Sequence, residues 1–165
     1  MEALANSAYL VQEHRYKKDK VYTARADAQL KDYPNFIFNS IFVAGYPWNV
    51  ISDKGEAHPE LALVSTRAAF GMWALWKNDY TSSLMTVIDE LYNADRGWYE
   101  GRYEQTGGYE ETVSLATNAI VLESLFYKTQ GVIYQGASTE AGYLENRLSD
   151  EFHLPGRCFP VERAQ

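Results

Sequence analysis

The chain has 165 residues, enough for one domain with a buried core, and its 46% hydrophobic content is ordinary for a globular protein. A net charge of −7, with no basic run longer than Lys17-Lys18-Asp19-Lys20, excludes an electrostatic grip on nucleic acid. The single cysteine, Cys158, excludes an intrachain disulfide and a cysteine-only metal cage, and no apolar run approaches the roughly 20 residues that span a bilayer. Aromatics are plentiful at 15%, with 13 tyrosines, a composition that suits either a core or a surface that grips sugars or partners. The opening Met1-Glu-Ala-Leu-Ala-Asn lacks the basic and apolar regions of a signal peptide.

In chain order, the loose spacing of Leu4, Ala8, Val11 and Tyr16 predicts a helix over 2–16. A short helix can open after Thr23 and must close before Pro34. Residues 36–51 are apolar and partly β-branched, which fits a strand, although Gly45 and Pro47 fit a buried irregular connection equally well. Ser52-Asp-Lys-Gly-Glu reads as a turn. Residues 60–78 place Leu61, Ala68, Met72 and Leu75 on one helical stripe, and a second helix capped by Thr81 or Ser82 turns Leu84, Val87, Ile88 and Leu91 inward. The short link between them predicts an antiparallel helical hairpin. A glycine-broken loop covers 95–111. A helix over 111–129 then puts Leu115, Ala119, Leu122 and Phe126 on one face, with Ile120 and Leu125 widening it and Gly131 as the stop. Ser138 can cap a last helix to Leu148. The expected fold is mainly α, a set of antiparallel helical hairpins forming part of an α/α toroid-like domain, with one domain over 1–150 and a loose tail over 151–165.

The loop 95–111 is where the sequence suggests chemistry. Glycoside hydrolysis needs two carboxyl groups, and Glu100 and Glu104 are the leading pair, with Glu100 as general acid and Glu104 as base or nucleophile. Period two in an extended chain puts Glu100, Arg102 and Glu104 on one side, where Arg102 would hold both carboxylates ionised. Trp98, Tyr99 and Tyr103 supply rings that stack on sugar faces, or that plug the loop onto the core. Asn118 is either a hydrogen-bonded core amide or a polar group facing a cleft. The bland alternative is a solvated acidic loop paired with Arg96 and Arg102. His14, His58 and His153 lack metal-ligand spacing, and no phosphate-binding loop, dinucleotide fingerprint or nucleophile elbow occurs, so no metal and no cofactor is expected.

The string Arg96-Gly-Trp-Tyr-Glu-Gly-Arg-Tyr-Glu-Gln-Thr-Gly107, followed by Ala116-Thr-Asn-Ala-Ile-Val-Leu-Glu-Ser-Leu-Phe-Tyr-Lys128, resembles the bacterial domain-of-unknown-function 3131 family. Tyr46-Pro-Trp48 and Ser65-Thr-Arg-Ala-Ala-Phe-Gly71 fit the same order upstream. The resemblance implies a relation to α/α toroid glycoside hydrolases, an extracytoplasmic setting, and a role in acting on or binding an envelope or extracellular glucan. A non-catalytic glycan-binding or scaffolding module and a protein-interaction domain are the alternatives. The chain resembles the C-terminal half of such a domain, which implies a second subunit or a missing N-terminal half as a partner besides a carbohydrate. It departs from the family at Tyr109-Glu-Glu-Thr-Val-Ser114, where small residues and Asn are usual.

Overall fold

The structure, a computed structural model, describes residues 2–43 and 45–133; all but the last two belong to one compact unit that ends at Gly131. The helix expected over 138–148 and the tail over 151–165 lie outside the described residues. Those described form four helices, α1 (Glu2–Asp19), α2 (Thr66–Leu75), α3 (Asp79–Ile88) and α4 (Leu115–Gln130). They also form eight short strands in three antiparallel sheets: β1 (Ala28–Gln29), β2 (Phe36–Val43) and β3 (Tyr46–Ser52); β4 (Leu63–Ser65), β7 (Gly101–Tyr103) and β8 (Tyr109–Glu110); β5 (Tyr92–Asn93) and β6 (Gly97–Trp98).

This mixed α/β architecture overturns the mainly α expectation of helical hairpins in an α/α toroid, and with it the glycoside-hydrolase-like label that rested on that fold. The physical reason lies in three stretches. The run 36–52 pairs with itself as a long hairpin, Phe38 opposite Ile51 and Asn39 opposite Val50, around a turn at Gly45 with φ of 86°. Residues 63–65, expected inside a helix, extend and pair with 101–103, because Leu63, Val64 and Ser65 are all buried and need partners for their backbone groups. The glycine-broken loop folds into two further ladders rather than an irregular span.

The helices follow their sequence signals more closely. α1 covers the expected range. The segment after Thr23 forms no helix and runs extended into β1. α3 begins three residues earlier than expected: Asn78 caps it, accepting from Thr81 N at 3.0 Å while Thr81 Oγ1 accepts from Asn78 N, a reciprocal capping box. α4 is capped by Ser114 and stopped by Gly131 at φ of 83°. The main core joins Tyr9, Ala24, Val64, Phe70, Met72, Tyr80, Leu84, Ile88, Leu91 and Val121, so α1, α2, α3 and α4 share one interior. A second cluster of Ala28, Leu30, Ile37, Val50, Ala62 and Leu63 lies under the β1–β2–β3 sheet.

Candidate functional site

Glu100 and Glu104 flank β7 at its two ends and engage different elements. The Glu100 side chain is 1% exposed, and its Oε2 accepts from Thr117 Oγ1 of α4 at 2.9 Å. Its backbone closes the junction, since its N–H donates to Thr112 O and its carbonyl accepts from Thr66 N at the start of α2. Glu104 turns instead toward the N-terminal part of the chain. Arg15 Nη1 donates to both of its oxygens at 3.1 and 3.2 Å, and Arg25 Nη2 donates to Oε2 at 2.9 Å. The Glu104 and Arg25 side chains are 4% and 3% exposed. Among the described residues the two carboxylates share no hydrogen-bond partner.

The Glu104 cluster is held from several sides. Arg25 Nη1 donates to Asn39 Oδ1 on β2, Arg15 Nη1 reaches Thr23 Oγ1, and the Arg15 guanidinium lies 4.6 Å from the centroid of the Trp48 ring. Trp48 takes φ of 59°, which interrupts the β2–β3 ladder at its pairing position. Burial lowers the pKa of Arg25 against the pull of Glu104, and the like charge of Arg15 adds to that lowering. A carboxylate that accepts from two guanidinium groups has its oxygens engaged, an arrangement that suits a structural anchor.

Arg102, expected between the two carboxylates, goes elsewhere. Its Nε donates to Val87 O in the last turn of α3 at 2.9 Å, and its Nη1 donates to Gly107 O at 2.8 Å. A cation at a helix C-terminus meets the negative end of the dipole. Tyr103 OH donates to Glu110 Oε2 at 2.7 Å, and Glu110 Oε1 accepts from Lys31 N, Thr112 N and Thr112 Oγ1. Glu110 therefore organises β8 and its surroundings. Trp98 packs edge-on against Phe70 at 4.9 Å and beside Tyr92 at 5.3 Å, while Tyr99 stacks on Tyr109 at 5.7 Å. Asn118 clasps β6, its Oδ1 accepting from Trp98 N at 2.8 Å and its Nδ2 donating to Trp98 O and Ser114 O. These contacts engage both branches of the Asn118 amide at a half-buried position.

Burial raises the pKa of Tyr80, with nearby Tyr9 and carboxylates adding to it, and burial followed by the bond to Glu110 raises that of Tyr103. Because both folded values lie above the ordinary 10.0, the unfolded chain ionises first. Their contribution to stability is complete below pH 10 and is lost as pH climbs through the folded values. A spectrophotometric phenolate titration should show fewer ionised tyrosines than 13 at pH 11, and the remainder should appear together with loss of the circular dichroism signal.

The residues that open onto a recess were not singled out by sequence. Asp89, Glu90, Tyr92, Asn93 and Ala94 line an open depression of about 540 Å³ at the end of α3 and the start of β5. Tyr92 is 55% exposed and is backed by Trp98. Asn93 Oδ1 accepts from Asp95 N and Arg96 N, which folds the turn and leaves its NH2 as the remaining polar branch. The signal available in the sequence was the run Asp89-Glu-Leu-Tyr-Asn93, two acids followed by a ring and an amide directly before the glycine-broken loop.

A family model described as protein of unknown function, DUF3131, matches residues 1–131. The chain belongs to the DUF3131 family. The match ends at Gly131, the residue that stops α4, and it takes in the Glu104 cluster, the Asn118 clasp and the recess. No curated protein and no solved structure matches the chain. Among the described residues of this DUF3131 chain, no helix is long and apolar enough to cross a membrane, and no group of three or more His, Cys, Asp or Glu is placed to hold a metal ion.

Proposed function

We propose that the DUF3131 chain binds a neutral glycan at the Tyr92 recess and does not hydrolyse it. The recess carries this reading: an exposed tyrosine face bordered by the carboxylates of Asp89 and Glu90 and by the Asn93 amide. A pyranose offers apolar C–H groups to such a ring and vicinal hydroxyls that donate to carboxylates. Two acids on the rim, neither in an ion pair among the described residues, disfavour an acidic sugar. Binding is preferred over hydrolysis because Glu100 is buried beneath Thr117 and Glu104 is held by Arg15 and Arg25. Neither is presented to the recess, whose lining does not include them.

Affinity electrophoresis in gels containing neutral or acidic soluble polysaccharides tests the proposal. Wild type should be retarded by a neutral glucan and release no reducing ends from it. Tyr92→Ala should bind about tenfold more weakly, the effect of losing roughly 1.4 kcal/mol of ring contact. Equal retardation of wild type and Tyr92→Ala, or retardation by acidic polysaccharides alone, defeats the assignment.

A further inference from the structure

A second recess, of about 380 Å³, opens where three helices meet, lined by Ala5 and Asn6 of α1, Leu75 and Trp76 at the end of α2, and Tyr127 of α4. Its inner wall is the Trp76 indole. Tyr9 stacks on one face of that ring at 4.4 Å with 5° between the planes, and Tyr9 is itself 4% exposed, its hydroxyl accepting from Asn78 Nδ2. The indole is therefore fixed from behind, and its other face is the one left for contact. Its Nε1–H donates to Asn6 Oδ1 at 3.3 Å, which orients the amide: the oxygen is turned to the indole, so the NH2 is the branch left for a ligand. Tyr127 and Leu75 form the outer walls, 39% and 58% exposed. Among the described residues no charged side chain lines the recess, and the neighbouring Lys128 is turned to Trp73, 4.3 Å from that ring's centroid.

We infer that this recess is a binding site for one neutral, hydroxylated ring, a pyranose unit of a saccharide. The volume lies near the lower end of the roughly 300–1,000 Å³ of small-molecule pockets, room for a single ring and too little for the roughly 10 Å cylinder of a partner helix. The only donor of the indole is engaged by Asn6, so the ring offers a π face alone, and the C–H groups of a pyranose match such a face. The polar groups of the lining residues, Asn6 NH2 and the Tyr127 hydroxyl, pair with the sugar's hydroxyls. A purely apolar ring would strip water from both without replacing those bonds. Neither a carboxylate nor an ammonium ligand meets a counter-charge in this lining. The site is separate from the Tyr92 recess: Trp98, which backs Tyr92, is held near the start of α4, whereas Tyr127 lies in its last turn. It stands or falls independently of the assignment made for Tyr92.

The test follows the indole N–H signals of the full chain by NMR, with Trp76 and Trp98 assigned from Trp76→Phe and Trp98→Phe. Maltohexaose and cellohexaose are the probes, and free indole is the apolar control. One of the saccharides should move the Trp76 signal saturably, in wild type and equally in Tyr92→Ala. Asn6→Leu removes the amide at similar volume and leaves the Tyr9 stack in place, so it should bind about fivefold more weakly. Tyr127→Ala, at an exposed helical position, should keep its circular dichroism spectrum and bind about tenfold more weakly. A Trp76 signal that millimolar saccharide leaves unmoved in wild type overturns the inference. So does a titration that Tyr127→Ala leaves unchanged, or one that vanishes in Tyr92→Ala. Saturable binding of indole in preference to both saccharides overturns the choice of ligand. A Trp76 signal that moves while that of Trp98 stays still upholds this site and removes the one at Tyr92.

Discussion

Replacing Glu104 with Gln is expected to lower the unfolding free energy by about 3–5 kcal/mol, the range for breaking a buried ion pair from one side. Gln keeps the volume and one acceptor oxygen, so the loss isolates the charge. Arg25 is 3% exposed and would retain a buried guanidinium facing neutral side-chain acceptors, Asn39 Oδ1 and the new amide oxygen, in place of a carboxylate. Arg15 has an escape, since it is 17% exposed and lies against Trp48. The larger part of the penalty therefore falls on Arg25, and Arg25→Met should be nearly as damaging as Glu104→Gln because it leaves the carboxylate half-paired. The double variant should cost at least about 1 kcal/mol less than the sum of the two singles, as coupled neighbours do. Urea unfolding of the four proteins measures the cycle. A Glu104→Gln change below 1 kcal/mol would mean that the two arginines do not depend on this carboxylate, and would restore Glu104 as a group free for chemistry.

That triad also shows where sequence reasoning stops. Glu104 is conspicuous in the loop, but Arg15 and Arg25 are 89 and 79 residues away along the chain, and no local spacing connects them. Arg102 was the nearer cation and was drawn off by carbonyl oxygens of α3 and of the 104–107 turn. Local signals fared better where the physics is local: the Gly131 stop, the helical character of 66–75 and 79–88, and the strand propensity of 36–51 all appear in the structure. The fold class failed because short strands carry little periodicity; Gly97–Trp98 and Tyr109–Glu110 are two residues each and exist through pairing with distant or adjacent partners. The periodicity of α4 was visible, yet the sign of its amphipathicity was not. Polar Thr117 and Ser124 lie inside because the buried Glu100 carboxylate gives Thr117 a partner, so an apolar stripe identified a face without stating which way it points.

The second large effect is expected at the clasp between α4 and the β5–β6 hairpin. Asn118→Ala removes three hydrogen bonds, two of which satisfy both backbone groups of Trp98. At about 1 kcal/mol for each bond, the loss should be 2–4 kcal/mol. Gly97→Ala strikes the same clasp from the other side. A Cβ at Gly97 would lie 2.4 Å from Asn118 Oδ1, and the residue sits at φ of 105°, where an L side chain is strained whatever the space. The single change should therefore displace the amide, break its bonds to Trp98 and add strain, for a total of about 3–4 kcal/mol. In the double variant the amide is already gone and only the backbone strain is new. The combined loss should stay near 4–5 kcal/mol rather than reach the sum of the singles. Because Trp98 supports Tyr92, both single variants should also weaken glycan retention at temperatures where they remain folded, while Glu104→Gln, acting at the other end of β7, should leave it unchanged. Additive unfolding losses in the Gly97 and Asn118 cycle would show that the two positions act separately and that the hairpin is not held by this amide.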